Sequence, residues 1–428
     1  MVSYSPLQKI ELTDSKVKIM DIVKNILKPQ MPSILVAAGH GGTHWVNAAI
    51  YILLPYIILD LGLSYTQAGL IMTVFHFSTF FANAISGPLV DLRGKEKYSN
   101  FQAYSLLIGG IAMVLMSISS TIYSLFISVA MIGVCISLWH PAAITYLSVN
   151  YPENRGFVLS IHSIGASLGD ALSPLLAAFF LTYVTINGSN LSWNTTSILL
   201  SLPLFILVLI IIFFLKDKKN SNQGITSEKD DNYFADLKLL LVNIQLVPLF
   251  LVAGVRTVTQ NGVLIFMPLY LVANEGASAA VIGASLFSMQ MGGLISGPIA
   301  GYLSDKHGRK IIAISSLLVS GALVPFYPLI SSNILIILLS AVIGFAIYAG
   351  RPVVQGWALD IAPSKTSGSV ISLLFMMQVG SAALFAMIAG IIADRYGLAI
   401  IFIILSAVCI ITLVIASLIP SSKKIKIS

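Results

Sequence analysis

Twelve long apolar stretches constrain this chain more than any other feature of its sequence. A helix needs about 20 apolar residues to cross the roughly 30 Å hydrocarbon core of a bilayer. Stretches of that length lie at about residues 33–59, 65–90, 99–119, 122–149, 157–184, 196–215, 243–273, 278–303, 311–331, 334–361, 367–393 and 397–419. We therefore predict an all-α membrane protein with twelve transmembrane helices.

Composition supports a lipid environment. Of the 428 residues, 57% are hydrophobic and only 10% are charged, whereas a soluble protein carries about 25% charged residues. The net charge of +7 does not indicate a nucleic-acid partner, because the basic residues lie in short runs between apolar stretches. They carry information on topology instead.

The distribution of Lys and Arg predicts the orientation. With the N-terminus inside, 21 of the 24 basic residues fall in the tails and in the loops on the cytoplasmic side. Arg395 falls outside, and Arg256 and Arg351 lie within spans. By the positive-inside rule, we expect a multi-pass protein of the cytoplasmic membrane with both termini in the cytoplasm.

The two halves of the chain resemble each other. Gly87-Pro-Leu-Val-Asp-Leu-Arg-Gly-Lys95 recurs 214 residues later as Gly301-Tyr-Leu-Ser-Asp-Lys-His-Gly-Arg-Lys310, and His140-Pro141 matches Arg351-Pro352. Two pseudo-symmetric six-helix bundles are what a rocking transporter needs. The predicted parts are a cytoplasmic N-tail (1–32), the N-terminal bundle (33–215), a cytoplasmic linker (216–242), the C-terminal bundle (243–419) and a cytoplasmic C-tail (420–428).

The repeated loop has a physical rationale as a conformational motif. Its glycines are expected to let helices approach closely, its aspartates to accept hydrogen bonds at a helix N-terminus, and its basic residues to lie at the anionic leaflet. Alternatively, the loop only fixes topology. The motif positions are Gly87, Asp91, Arg93 and Gly94 in the first copy, and Gly301, Asp305, Gly308 and Arg309 in the second.

The pattern G-x-L-x-D-x-x-G-K/R after spans two and eight resembles the signature of the major facilitator superfamily. With the twelve spans and the basic linker, the resemblance covers essentially the whole chain. It implies a secondary transporter that works by alternating access without a cofactor. His40, Trp139-His140-Pro141 and the segment 163–174 look like the fosmidomycin-resistance-type branch. Segment 163–174 also resembles a drug/proton antiporter motif, except that Ser173 stands where that motif has a glycine.

Two arginines within spans are the first candidate site residues. A buried charge costs about 2.5–3.5 kcal/mol on insertion scales, so each one needs a reason. Arg256 and Arg351 are predicted to bind an anionic substrate, because a guanidinium presents a planar set of donors to carboxylate or phosphate. The alternative is a structural ion pair with Asp170 or Asp360.

Five of the six histidines also lie within spans, namely His40, His44, His76, His140 and His162. We take His44, His76 and His140 as further substrate-binding candidates. Asp170 and His44 are the candidates for proton coupling, since imidazole titrates near neutrality. Each histidine could instead be a core residue that donates to a backbone carbonyl.

A metal site is not predicted. His40 and His44 stand at i and i+4 on one helix face, a spacing that can hold a transition metal, but two ligands are too few. No Cys or carboxylate lies nearby in the sequence to complete the set. Gly41 and Gly42 between them are expected to let a neighbouring helix approach.

These features predict a proton-coupled secondary transporter of a small organic solute, with an anion favoured over a cationic drug. The alternatives are a solute sensor that kept the transporter fold and a transition-metal transporter that uses the histidines. An enzyme is not expected, because no nucleophile–base set and no metal-binding catalytic motif is present. The expected partners are the solute, protons and lipid, and the chain is expected to be a monomer. The antiporter-like fifth span indicates export, but the arginines suit uptake equally, so the direction stays open.

Overall fold

The computed structural model describes residues 28–93, 97–186, 188–217, 240, 243, 246–362 and 367–419. Within this part of the chain, twelve helices are long and apolar enough to cross a membrane. They are α1 (Lys28–Asp60), α2 (Tyr65–Arg93), α3 (Tyr98–Ser117), α4 (Ile122–Asn150), α5 (Arg155–Tyr183), α6 (Trp193–Phe214), α7 (Leu246–Ala273), α8 (Ala279–His307), α9 (Arg309–Leu323), α10 (Asn333–Ile361), α11 (Ser367–Tyr396) and α12 (Ala399–Leu418). A short hairpin of β1 (Thr185–Ile186) and β2 (Ser189–Asn190) precedes α6. The predicted fold class is confirmed.

Most span boundaries agree with the prediction to within a few residues. The ninth span differs because it is not a continuous α-helix. There α9 gives way to a 3₁₀ segment at Val324–Leu329. Pro325 and Pro328 lack the backbone N–H that an α-helix would use, so the chain tightens. Most of the predicted tails and of the linker lies outside the described residues, and those boundaries remain predictions.

Local sequence explains the sharp helix ends. Thr121 caps α4: its side chain accepts from the Ser124 backbone N–H, and the Ser124 hydroxyl accepts from the Thr121 backbone N–H. This reciprocal arrangement satisfies two donors that a helix start leaves free. Between α8 and α9, Gly308 has a φ of 100°, a conformation that favours glycine, and lets α9 start directly after α8.

The two halves share one packing pattern. In the first half α1 packs on α5, α2 on α4, and α3 on α4 and α6; in the second, α7 packs on α11, α8 on α10, and α9 on α10 and α12. Helices α1 and α7 hold the largest shares of buried residues, whereas α6 exposes Ile206, Leu209, Ile212 and Phe213. Apolar side chains on the outer surface fit a lipid environment.

Glycines set the distance between α1 and α5. A Cβ atom added to Gly169 would lie 2.8 Å from the carbonyl carbon of Gly41, and one added to Gly165 would overlap the backbone of Ala37. The expected close approach at Gly41 is therefore confirmed. Small residues allow such backbone contact between membrane helices, and this contact fixes two helices that carry candidate site residues.

Among the described residues, the main contacts between the bundles lie at one end. The contacts run through α2–α11, α5–α8 and α1–α7, near the start of α2 and the end of α5, opposite the linker. Thr73 Oγ1 donates to the Ala383 carbonyl at 2.8 Å, and a Cβ on Gly283 would overlap Ala178. At the linker end, the side chains of Ile85 and Leu92 are 63% and 82% exposed.

Within the described ranges, Gly87 and Gly301 make no close helix contact in this conformation, and their role stays a prediction. Among the described residues, no atom lies within 4 Å of a Cβ built at either glycine. The reason is that both lie at the linker end, where the bundles are apart. Close helix contact occurs instead at the opposite end, through Gly69 on Ala386 and Gly390 on Tyr65.

The α1–α5 contact yields a stability prediction. Gly169→Ala should lower the melting temperature of the purified protein, because overpacking costs about 1–3 kcal/mol. Gly156→Ala is the matched control in the same helix, since a Cβ there meets no described atom within 4 Å. Equal melting temperatures for the two variants in a thermal-shift assay would contradict the close packing of α1 against α5.

Candidate functional site

Four of the histidines within spans form one cluster in the N-terminal bundle. His40 and His44 come from α1, His140 from α4 and His162 from α5. The rings of His40 and His162 stack with centroids 3.7 Å apart, and the Nε2 atoms of His40 and His140 are 3.3 Å apart. Trp139 Nε1 donates to His162 Nε2 at 3.1 Å. The predicted candidates His44 and His140 are thus brought together.

Asp170 on α5 completes this cluster. Its Oδ2 atom lies 2.8 Å from His44 Nδ1, and both side chains remain partly exposed, at 21% for His44 and 18% for Asp170. The Asp170 charge also acts across the bundle boundary on the Tyr348 hydroxyl, which is hydrogen-bonded to Gln290. The proton-coupling candidates therefore contact each other and face the second bundle.

Arg256 occupies the centre of the second bundle, on α7. The residue is only 4% exposed, and its guanidinium donates to Gln260 Oε1 and Thr257 Oγ1 at 2.8 Å each and to Gln378 Oε1 at 3.4 Å. All three acceptors are neutral. The hydrogen bonds hold the guanidinium in place, but they leave its positive charge without a counter-charge.

Arg351 on α10 follows Gly350, whose backbone packs against the Arg256 side chain. The Arg256 Cδ atom would be 3.2 Å from a Cβ on Gly350, and the two positive charges are near enough to repel each other. Arg351 is exposed, and within the described ranges it forms no ion pair with a carboxylate. Its charge also reaches His140 in the first bundle.

The structural ion pairs considered from the sequence are not formed. Asp170 bonds to His44, and Asp360 bonds to Arg309 at 3.2 Å. In the part of the chain that the structure covers, neither Arg256 nor Arg351 has an acidic partner. Both positive charges are therefore without a paired carboxylate in the described part of the chain.

The second copy of the loop motif links three helices of its own bundle. Arg309 at the start of α9 contacts Asp305 Oδ1 at 2.5 Å, Asp360 Oδ2 at 3.2 Å and Ser304 Oγ at 2.7 Å. These partners belong to α8 and α10, so the contacts stay within the C-terminal bundle. In the first copy, Gly94 and the side chains of Asp91 and Arg93 lie outside the described residues.

His76 is separate from the histidine cluster. It lies on α2, is 6% exposed, and packs edge-on against Phe75 with ring centroids 4.9 Å apart. Its Nε2 atom has no hydrogen-bond partner among the described residues. His76 is therefore a buried polar group one turn from Thr73, which contacts the second bundle; its substrate-binding role stays a prediction.

Two contacts between the bundles were missed by the sequence reasoning. Asp394 at the end of α11 accepts hydrogen bonds from the backbone N–H groups of Tyr65 and Thr66 at 2.8 Å each. A carboxylate at a helix N-terminus is stabilised by the helix dipole. Tyr51 donates to Asn261 Oδ1 at 3.0 Å from α1 to α7. The sequence has the pattern Gly-x-x-x-Asp-Arg-x-Gly at residues 390–397, and this pattern could have identified Asp394 as a candidate for such a contact.

Comparison with known proteins shows that this chain is similar to transporters. The model of the Major Facilitator Superfamily matches residues 36–289 and 249–426. The fosmidomycin resistance protein of Escherichia coli is 23% identical over 376 residues, which cover 86% of this chain and 87% of that protein. The glycerol-3-phosphate transporter of Bacillus subtilis is 23% identical over 449 residues, with 97% of each chain covered.

A solved structure shares the fold. The bacterial homologue of the human lysosomal transporter Spinster, in an inward-facing and occupied conformation, superposes with a TM-score of 0.75 at 14% identity. The match covers 90% of this chain and 95% of that one. At this identity the likeness concerns the fold alone.

The contact between Asp394 and the start of α2, at the end opposite the linker, can be tested by substitution. Asp394→Ala removes both acceptors at the start of α2, so backbone amides in the peptide containing Tyr65 and Thr66 should exchange hydrogen several-fold faster. Glu275→Ala is the control: that carboxylate accepts from Tyr270 within the second bundle. Hydrogen–deuterium exchange followed by mass spectrometry measures both, and unchanged exchange in Asp394→Ala would show that the contact does not hold the bundles together.

Proposed function

Because this chain belongs to the Major Facilitator Superfamily, whose members transport small solutes, we propose that it is a proton-coupled secondary transporter of a small organic anion. The observation that carries the proposal is the pair Arg256 and Arg351, two positive charges that repel each other and that have no acidic partner among the described residues.

Electrostatics favours an anion between these two groups. The two like charges repel each other, the more so because the Arg256 side chain is buried, and an anion bound to both turns that repulsion into attraction. Gln260, Thr257 and Gln378 hold the Arg256 guanidinium, so it is preorganised to bind carboxylate or phosphate oxygens. Arg351 is exposed and accessible to a solute that enters between the bundles.

One relative supports the same substrate class. The Bacillus subtilis protein that aligns with 97% of this chain is named for glycerol 3-phosphate, a small phosphorylated anion. The arginine pair suits that chemistry, since each guanidinium can donate two parallel hydrogen bonds to a phosphoryl group. We propose a phosphorylated or carboxylated metabolite and leave the individual compound to the assay.

We propose that the structure represents the inward-facing state. The positive-inside distribution of Lys and Arg puts the linker end in the cytoplasm, and this is the end at which Ile85 and Leu92 are exposed. In the opposite state, the linker ends of α2 and α8 approach each other, and Gly87 and Gly301 then provide the room for helix contact.

Asp170 and His44 form the proposed proton-coupling pair. Their hydrogen bond of 2.8 Å gives a proton two neighbouring sites, and Asp170 Oδ1 has no hydrogen-bond partner among the described residues. The Asp170 charge and the Arg351 charge both act on the Tyr348 hydroxyl. Protonation of the pair therefore changes the field at the anion site, which couples the two binding events.

Substitution of the arginines tests the anion site. Arg256→Gln and Arg351→Gln should each reduce the affinity for the transported anion at least tenfold, because a hydrogen bond to a charged group contributes about 1.5–3 kcal/mol. Uptake of a panel of phosphorylated and carboxylated solutes into proteoliposomes identifies the substrate and measures the loss.

Arg395→Gln is the matched control, since Arg395 lies over the Tyr396 ring at the far end of α11. It should transport like the unmodified protein. Normal transport by both interior variants would contradict the anion site.

Substitution of Asp170 tests the coupling. Asp170→Asn keeps the size of the side chain but cannot carry a negative charge, so anion flux should lose its dependence on an imposed proton gradient. The sign of the gradient that drives flux in the unmodified protein also distinguishes antiport from cotransport. If the variant keeps the same gradient dependence, the proton is carried elsewhere.

A further inference from the structure

The histidine cluster carries a second inference that does not depend on the anion site. We propose that His40, His44 and His140 form a binding site for a divalent transition-metal ion of the zinc class, within the N-terminal bundle. One ring nitrogen from each of these residues lies within 4.8 Å of the other two. The sequence alone offered only His40 and His44, and the fold adds His140 from α4.

The hydrogen bonds fix the tautomer of each ring. The Nδ1 atom of His40 lies 2.7 Å from the His162 carbonyl, that of His44 lies 2.8 Å from Asp170 Oδ2, and that of His140 lies 2.8 Å from the Ile136 carbonyl. A carbonyl or carboxylate oxygen can only accept, so each Nδ1 carries the proton. In each neutral ring the free lone pair is therefore on Nε2.

Histidines that bind a metal in proteins have the same hydrogen-bonding arrangement. Metal-binding imidazoles almost always donate the other ring N–H to a carboxylate or a backbone carbonyl, which fixes the ring orientation and raises the basicity of the ligand nitrogen. Here His40 and His140 donate to carbonyls and His44 donates to a carboxylate. A histidine that only fills the core also donates to a carbonyl, but it does not need its second nitrogen to face that of another histidine, as those of His40 and His140 do.

The distance between two of the free nitrogens fits a metal ion. His40 Nε2 and His140 Nε2 are 3.3 Å apart, so two lone pairs face each other with no proton of their own between them. In a tetrahedral zinc site with Zn–N bonds of 2.0–2.1 Å, two ligand nitrogens are about 3.3 Å apart. A ring nitrogen of His44 lies within 4.8 Å of the other two ligand nitrogens, and a shift of its side chain would bring it to bonding distance, since two nitrogens on one zinc ion are at most about 4.2 Å apart. The fourth position is then left for water or an anion, as in open zinc sites.

Ligand chemistry selects the class of metal. Imidazole nitrogens suit zinc, copper, nickel and iron, whereas magnesium and calcium prefer oxygen ligands. The Arg351 charge acts on His140 and opposes a cation, but the Asp170 carboxylate beside His44 offsets it. His44 and Asp170 are partly exposed, so an ion can reach the site from the space between the bundles.

His162 has a supporting role. Its Nε2 atom is already engaged by Trp139 Nε1 at 3.1 Å, and its ring stacks on His40. Its carbonyl orients His40 through the 2.7 Å hydrogen bond. His162 is therefore a positioning residue rather than a fourth ligand.

Metal titration of the purified full-length protein, with any affinity tag removed, tests the proposal. Isothermal titration with Zn²⁺ should give one site per chain, and Co²⁺ should give the intense visible bands of tetrahedral nitrogen coordination. His40→Gln, His44→Gln and His140→Gln should each lower the Zn²⁺ affinity at least tenfold. Asp170→Asn should lower it by about 10- to 100-fold through its effect on His44.

The controls separate this site from the anion site and from misfolding. His307→Gln removes an exposed histidine at the end of α8 and should bind Zn²⁺ like the unmodified protein. Arg256→Gln should also keep the metal site, even if it abolishes anion transport, so the two proposals can fail independently. The Co²⁺ spectrum needs only the unmodified protein and does not depend on whether a variant folds.

Two outcomes would overturn the proposal. The first is that Zn²⁺ binds the unmodified protein no more tightly than the variant in which all three histidines are replaced by Gln. The second is a Co²⁺ spectrum of weak octahedral type, which would leave a shared proton between His40 and His140 as the explanation of their 3.3 Å contact.

Discussion

The interaction on which the rest of the structure depends is a guanidinium group buried inside an apolar bundle, with no acidic partner among the residues that the structure describes. Burial of an uncompensated charge at membrane depth costs about 2.5–3.5 kcal/mol or more. Among the described residues, the Arg256 side chain donates to neutral acceptors and is repelled by the Arg351 charge. Such an arrangement is tolerable next to a polar space that an anion or water can enter, and the proposed transport route between the bundles would be such a space.

The described contacts between the bundles lie at the end opposite the linker. Three contacts join the halves there. Asp394 accepts a hydrogen bond from the start of α2, Thr73 donates to a carbonyl of α11, and Gly283 packs against α5. Within the first half, the glycine contact between α1 and α5 fixes the side chains of His44 and Asp170 relative to each other. The arginines belong to the other half, so relative motion of the bundles changes the distance between the two charged groups.

Much of the fold could be predicted from the sequence, because each span is long and strongly apolar. The polar residues of the interior could be identified for the same reason: His44, Asp170, Arg256 and Arg351 stand out within apolar helices. Their partners could not be identified. His40 and His140 are 100 residues apart and His40 and His162 are 122 apart, and no local periodicity reports contacts between different helices. The contacts of Gly87 and Gly301 could not be assigned either, because a sequence does not specify which conformation a motif stabilises.

The central claim is that two rigid bundles move about an interior charged site and open at one end at a time. Electron–electron distance measurements between spin labels on introduced cysteines test it most directly, in a chain whose buried Cys135 and Cys409 are replaced by alanine. One label pair, at Leu92 and Tyr302, reports on the linker end, and a second pair, at Leu59 and Leu329, reports on the opposite end; all four side chains are exposed. In lipid, the account predicts two populations for each pair, with the first distance shortening whenever the second lengthens. A single, unchanged distance for both pairs during solute transport would contradict it.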